Sequence, residues 1–351
     1  MKIYRVGGFV RDTLLNRTPK DIDYVVVGST PTEMLSLGYE QVGKDFPVFL
    51  HPDTQDEYAL ARTETSTGPG YNDFVTEFAP TVTLEEDLSR RDLTINAMAM
   101  DANDTVIDPY NGQTDLNNGI IRHTSVAFTD DPVRALRVAR FKARYEFTVA
   151  PETVRLIQKM KADGMFDNFI TERVYTEIVK GMNENKPWIM LEFLRAECIV
   201  DFINNISSEN FNKAIMKLKQ AVHLKVADRM IVFFYFSGMT QDELKENGFS
   251  KYIFKTINQV QILNKPIRTE SKVIYNNIKN AGFIQSNVIS SSFFSILNVI
   301  VDEVYANQMH NIFNTVQSVK FNKKDFVGLT PRETKTFVDD TYITALNNLW
   351  K

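Results

Sequence analysis

The chain has 351 residues, 43% hydrophobic and 24% charged, long enough for two or more cores and of ordinary globular composition. A formal net charge of −4 argues against a uniformly basic nucleic-acid-binding surface, and the one cysteine, Cys198, excludes an intramolecular disulfide framework and fits a reducing, cytoplasmic setting. No apolar run approaches the roughly eighteen residues that span a bilayer, and Arg5, Arg11 and Asp12 interrupt any signal-peptide core.

Over the first 125 or so residues, short β-rich runs alternate with turn signals and helical stretches. Residues 2–6 read as a strand, 9–15 as a helix and 21–27 as a second strand, its Tyr24-Val25-Val26-Val27 aromatic and β-branched. Residues 31–37 open as a helix on Pro31, and 47–51 and 57–62 read as strands joined by a turn. The run from Gly38 to Asp45 has P-loop glycine and lysine spacing, but Asp45 replaces the magnesium-binding hydroxyl and no buried strand precedes it. Residues 65–70 are a loop by composition, with Glu64 at its edge as a candidate for metal binding or closure. Residues 74–79 read as a strand, and Thr83 with Glu86 as a capping box that opens a helix. From Asp130 the period turns helical, through Val133, Leu136, Arg137, Arg140 and Phe141, and beyond Thr171 nearly everything is helix. The four histidines, His51, His123, His223 and His310, are too scattered for a metal-spacing motif. The expected fold is an α/β head with a small mixed sheet, followed by an all-α remainder. Its boundaries are residues 1–128 for the head, 129–200 for a helical neck and 201–351 for a helical body and tail.

Two motifs carry chemistry. Gly7-Gly8-Phe9-Val10-Arg11-Asp12 is followed within ten residues by Asp21-Ile22-Asp23. On a strand Asp21 and Asp23 point to one face, where two carboxylates are costly together unless a cation lies between them. Mg²⁺ takes one or two carboxylates plus substrate phosphates. The Gly-Gly turn offers backbone N–H groups to a triphosphate, with Arg11 one helical turn further on. Alone, an Asp-x-Asp reads as a solvated pair and a Gly-Gly as a turn. Together they outline a nucleotidyl-transfer site.

These residues, with further segments in order, resemble the class II nucleotidyltransferase superfamily, and specifically the bacterial CCA-adding enzymes. Arg90-Arg91-Asp92-Leu93-Thr94-Ile95-Asn96-Ala97 is similar to that family's ribose-recognition motif, and Asp108-Pro109-Tyr110-Asn111-Gly112 to its head-to-neck segment. The run from Asp130 to Arg140 resembles the base-reading helix, with Asp130 where the family usually has Glu, and Thr171-Glu172-Arg173-Val174 resembles the motif that buttresses it. The match is dense to about Gly181 and faint beyond.

The resemblance implies that Asp21 and Asp23 are the catalytic residues and metal ligands for Mg²⁺. Gly8 and Arg11 would hold phosphates, Arg91 and Asp92 would meet the ribose, and Asp131 and Arg134 would read the base. Arg137 and Arg140 would continue that face toward phosphate or base. A carboxylate only accepts and a guanidinium only donates, so an Asp–Arg pair at i and i+3 accepts the amino-and-acceptor edge of C or A and refuses G and U. The implied reaction adds C, C and A to the 3′ end of tRNA from CTP and ATP, releasing pyrophosphate, in the cytoplasm, with no membrane and no obligatory protein partner. Longer bacterial members carry a His-Asp phosphohydrolase in their C-terminal half. Here Tyr235-Phe236 aligns with its metal-binding pair, which implies a helical body that holds the acceptor and T arms instead. A poly(A) polymerase or a partial-CCA-adding enzyme is the alternative within the superfamily. A catalytically silent RNA-binding protein is the alternative outside it, and the intact Asp21 and Asp23 argue against that.

Overall fold

The computed structural model describes residues 1–42, 48–66, 74–167, 169–264, 270–284 and 291–349, without the side chains of 64–66 and 74–75. The end of the P-loop-like run, the 67–70 part of the glycine loop and the Glu64 side chain therefore lie outside the described residues. The chain divides into two compact units, Met1–Asn204 and Asn205–Lys351.

The first unit opens with β1 (Lys2–Val6), α1 (Gly8–Leu14), β2 (Asp23–Val27), α2 (Pro31–Ser36), β3 (Glu40–Val42), β4 (Val48–Leu50) and β5 (Glu57–Leu60). A hairpin of β6 (Thr63–Ser66) and β7 (Phe74–Glu77) follows, then α3 (Leu84–Ser89), a 3₁₀ turn at Thr94–Asn96, β8 (Ala99–Met100) and β9 (Val106–Ile107). The seven-stranded sheet runs β3-β4-β5-β2-β1-β8-β9, parallel at β2–β5 and antiparallel elsewhere. Successive β2 residues feed opposite faces, as the period of two demands. Val25 packs with Val6, Leu84 and Leu88, so α3 covers that face; Val26 packs with Met34, Phe49 and Leu60, so α2 lies on the other. Thr30 with Glu33 and Thr83 with Glu86 form reciprocal capping boxes that start these helices.

The register of β1 against β2 places Val6 opposite Asp23. Immediately after Val6, Gly7 adopts φ +67°, a left-handed conformation that a Cβ would strain, and α1 begins. This shortens the expected strand: Asp21 and Ile22 precede β2, because the chain opposite them has already turned away into α1. The two aspartates are not a same-face strand pair. Asp23 heads the strand and Asp21 lies in the loop before it.

After α4 (Gly112–Asn118) and β10 (Ile120–Ile121) come α5 (Val133–Tyr145), β11 (Thr148–Val149), α6 (Pro151–Ala162), α7 (Thr171–Met182), α8 (Pro187–Ala196) and α9 (Asp201–Asn204). Helix α5 packs against α7 and α8, burying Leu136, Ala139 and Ala143 with Ile178, Met190 and Leu194. It begins later than its sequence period indicates. Asp131 is extended at φ −131°, ψ 104°, since Pro132 disfavours the helical region for the residue before it. Asp131 and Arg134 therefore do not share a helix face; Asp131 instead lies one residue before the Pro132 N-cap, its carboxylate accepting from the Val133 amide at 3.1 Å.

The second unit is all helix: α10 (Ser208–Gln220), α11 (Val226–Ser237), α12 (Gln241–Glu246), α13 (Lys251–Leu263), α14 (Ser271–Asn280), α15 (Ser291–Ile300), α16 (Glu303–Ser318) and α17 (Pro331–Leu349). Helix α11 is its apolar centre, with Ile231, Val232, Phe233 and Phe234 almost wholly buried. Tyr235 accepts a hydrogen bond from Asn264 at 2.7 Å, and Phe236 lies beneath the ammonium groups of Lys213 and Lys217. Among the described residues no helix is long and apolar enough to cross a membrane.

Candidate active site

Asp23 and the Gly7-Gly8 turn form one end of a cleft of about 450 Å³ in the first unit. Arg11 from α1 joins them, as do Arg90, Arg91, Asp92 and Asn96 from the segment after α3. Asp131, Arg134, Arg137 and Phe141 enter from the α5 side, and Arg173 from α7. Six arginines and three aspartates thus converge here, so a chain of net charge −4 presents a locally positive cleft, as an anionic ligand requires.

Most of these side chains are fixed by one another. Arg11 is 5% exposed: Nε and Nη2 donate to Asp12 at 2.9 and 3.0 Å, and Nη1 to Asn96 at 2.5 Å. Its guanidinium also lies over the rings of Phe141 and Tyr145, each 5.3 Å away. Three of its five N–H groups are used by these bonds, and two remain for a ligand. Buried Asp87 receives Arg90 at 2.7 Å and Arg91 at 3.3 Å; burial would raise its pKa, and the two arginine charges outweigh that and lower it. Arg91 Nε is buried without a hydrogen-bond partner, a donor that a bound polar group would satisfy. Asp92 accepts from Arg137 Nε at 2.8 Å and from Asn96 at 3.0 Å. Against the upward pull of burial, Arg137 and Asn96 hold its pKa down at about 2. Arg173 grips Asp131 with two parallel bonds, 2.9 and 2.7 Å, while Arg134 Nη1 donates to the Ala127 carbonyl at 2.6 Å.

The 108–115 segment supports this wall from behind. The Asp108 carboxylate accepts from the amides of Gly112 and Gln113 at 2.7 and 2.8 Å, starting α4, and Asp115 accepts from the Thr94 hydroxyl at 2.7 Å. A Cβ on Gly112 would lie 2.2 Å from the Thr94 carbonyl oxygen. Only glycine lets the two backbones approach this closely.

Of the residues expected from sequence, Gly8, Arg11, Asp23, Arg91, Asp92, Asp131, Arg134 and Arg137 line the cleft. Asp21 and Arg140 do not. Asp21 is exposed beside it, and Arg140 is 6% exposed with Nε bonded to Glu177 at 2.6 Å, so its charge is spent joining α5 to α7. Gly7, Arg90, Asn96, Phe141 and Arg173 are additional lining residues. Arg90 and Asn96 belong to the ribose-type motif and Arg173 to the buttressing one, which was their sequence signal; Phe141 was visible only as part of the α5 period.

Asp21 and Asp23 differ from the other carboxylates of this region. Asp12, Asp87, Asp92 and Asp131 each bind an arginine. Asp21 and Asp23 are exposed and have no side-chain hydrogen bond or ion pair among the described residues. No group of three or more His, Cys, Asp or Glu side chains is placed to hold a metal among the described residues. A hard divalent cation fits two free carboxylates when phosphate oxygens and water complete its shell.

Residues 3–122 match the family model of the poly A polymerase head domain. The "Multifunctional CCA protein" of Nitrosococcus oceani is 58% identical over 196 residues, which is 56% of this chain and 48% of that protein. The "CCA-adding enzyme" of Actinobacillus succinogenes is 51% identical over 231 residues, covering 64% of this chain and 58% of that protein. The chain thus spans about half the length of such relatives. Among solved structures, a CCA-adding enzyme in its apo form II is similar over 99% of this chain and 88% of its own, with a TM-score of 0.75 at 22% identity. A Thermotoga maritima CCA-adding enzyme complexed with tRNA covers 99% of this chain and 87% of its own, with a TM-score of 0.72 at 21% identity. Residues 3–122, about a third of the chain, accordingly resemble the poly A polymerase head domain, and the matched part of the chain is similar in sequence to bacterial CCA-adding enzymes.

Proposed function

We propose that the chain adds C, C and A to the 3′ end of tRNA without a nucleic-acid template, consuming CTP and ATP and releasing pyrophosphate. The observation that carries this reading is the β1–β2 register, which holds the free carboxylate of Asp23 beside the Gly7-Gly8 turn in an arginine-rich cleft. The turn amides and the two remaining Arg11 N–H groups hold the triphosphate. Arg91 and Asp92 meet the ribose hydroxyls, Arg91 with its unused Nε. Asp131, held by Arg173, accepts from the base amino group, and Arg134 donates to the adjacent ring nitrogen. That edge belongs to C and A and not to G or U. Asp21 and Asp23 hold Mg²⁺, which when bound activates the primer 3′-hydroxyl and neutralises charge at the α-phosphate and the leaving pyrophosphate. The domains in this reading are a catalytic head at residues 1–128, a base-reading neck at 129–200 and a tRNA-holding body at 201–351.

The test is incubation with Mg²⁺, tRNA lacking its CCA end and each nucleotide separately. Incorporation of C, and of A only after C, supports the assignment. Long runs of A would make the chain a poly(A) polymerase, and no incorporation from any nucleotide would make it a silent RNA-binding protein.

A further inference from the structure

A second group of cations lies outside the cleft, around the ring of Tyr145 near the C-terminal end of α5. The guanidinium carbons of Arg17 and Arg144 stand 5.0 and 5.4 Å from its centroid. The Tyr145 hydroxyl donates to Asp12 at 3.0 Å. That carboxylate is already chelated by Arg11, so Arg144 has only a long contact with it, 3.8 Å. Arg17 and Lys20 are exposed, and neither has a side-chain hydrogen bond or ion pair among the described residues. One further acid, Glu184, faces Arg144, Arg140, Lys20 and Arg17; burial raises its pKa against the pull of those four charges. Arg140 is neutralised by Glu177, and Glu184 offsets at most one of Arg17, Lys20 and Arg144, so the group keeps a net positive charge.

The place of these cations gives them meaning. Arg17 and Lys20 belong to the loop between α1 and β2, and the Arg17 amide donates to the Asp12 carbonyl at 2.8 Å, tying the loop to the end of α1. Lys20 directly precedes Asp21. Arg17 stands six residues before Asp23, within roughly 20 Å even for a fully extended chain. None of the three lines the cleft where the incoming nucleotide would sit. A polymer whose 3′-hydroxyl is delivered to Asp23 approaches from outside that cleft, and its nearest phosphodiesters need cations there. Arginine forks match phosphate oxygens, and the Tyr145 ring holds two of them in place without neutralising either.

We propose that Arg17, Lys20 and Arg144 form a phosphate-binding strip for the RNA strand, gripping backbone phosphates a few nucleotides upstream of the reacting 3′-hydroxyl. This rests on the reading of the chain as an RNA-extending enzyme. Released pyrophosphate shares the same chemistry as a ligand, so the experiment separates the two.

The full chain and its Arg17→Ala/Arg144→Ala variant are titrated with tRNA lacking CCA, by fluorescence anisotropy across a series of KCl concentrations. The variant is expected to bind about tenfold more weakly near 100 mM salt, and its plot of log affinity against log salt should be shallower by about one to two. CTP affinity measured without RNA should be unchanged, which reports an intact cleft, and Arg17→Lys/Arg144→Lys should recover most of the tRNA affinity. Unchanged tRNA affinity and salt slope would overturn the proposal. So would a variant that loses pyrophosphate binding while keeping tRNA binding. A wild-type chain that binds tRNA through these residues but incorporates no nucleotide would support the strip and contradict the proposed reaction.

Discussion

Arg137 donates from Nε to Asp92 at 2.8 Å, joining α5 to the segment that follows α3. In the proposed reaction one of these residues belongs to base or phosphate contact and the other to the ribose. Their ion pair means that neither wall of the cleft is set independently. Asp92 is deeply buried with its pKa held at about 2, below its unfolded value near 3.9. The pair therefore contributes stability that is complete above the unfolded pKa and is lost as pH falls toward 2, on the order of 2 kcal/mol. Asp92→Asn should be less stable than the wild type by about that much at pH 7, and the difference should shrink between pH 4 and pH 2. Urea melts at pH 7, 4 and 2.5 measure it; a difference independent of pH would mean that the ionised pair is not the source.

Asp131→Ala and Arg134→Ala should relax nucleotide choice rather than merely slow transfer. Each lost bond to a base edge should reduce discrimination by about 1–3 kcal/mol. Because Arg173 holds both Asp131 oxygens, Arg173→Ala should shift the same ratio in the same direction. The measurement is incorporation of UTP and GTP relative to CTP; lower rates with unchanged ratios would leave these residues only a structural part.

Gly112→Ala should destabilise the first unit by about 1–3 kcal/mol, because its Cβ would meet the Thr94 carbonyl, which is backbone and cannot swing aside, as well as the Met98 side chain. The 3₁₀ turn at Thr94–Asn96 carries Asn96, the partner of Arg11, so CTP affinity should fall with stability. Thermal melts alongside CTP titration test the link, and a stability loss with intact CTP affinity would break it.

A chain ending at Asn204 should fold and bind CTP but lose most tRNA affinity. Ending it at Gly181 should fail, since α8 would be gone and its Met190, Leu191 and Leu194 are buried where α5 packs. Circular dichroism and tRNA binding of the two fragments decide this. Full tRNA affinity in the 1–204 fragment would remove the second unit from RNA binding.

Much of the site is legible in the sequence because it lies in short local motifs. The Gly-Gly turn, Asp23, and the arginines and aspartates of residues 90–92 and 131–137 all reach one cleft. What the sequence withholds is pairing across long separations. Nothing local to Arg140 indicates that Glu177, 37 residues on, neutralises it, or that Arg11 is committed to Asn96, 85 residues away. The strand start at Asp23 depends likewise on where β1 ends, which is a property of the partner strand and not of Asp21-Ile22-Asp23. The late start of α5 was readable in principle, since Pro132 bars Asp131 from the helix.

Nucleotide transfer by Asp21→Asn and Asp23→Asn, followed with labelled CTP on tRNA lacking CCA, tests the central claim most directly. Removing a metal ligand should cost several kcal/mol of transition-state stabilisation. Transfer should therefore fall by three orders of magnitude or more on that scale, while tRNA affinity in the same samples stays within about twofold. Turnover in both variants close to the wild type would contradict the assignment of these carboxylates as the catalytic metal ligands.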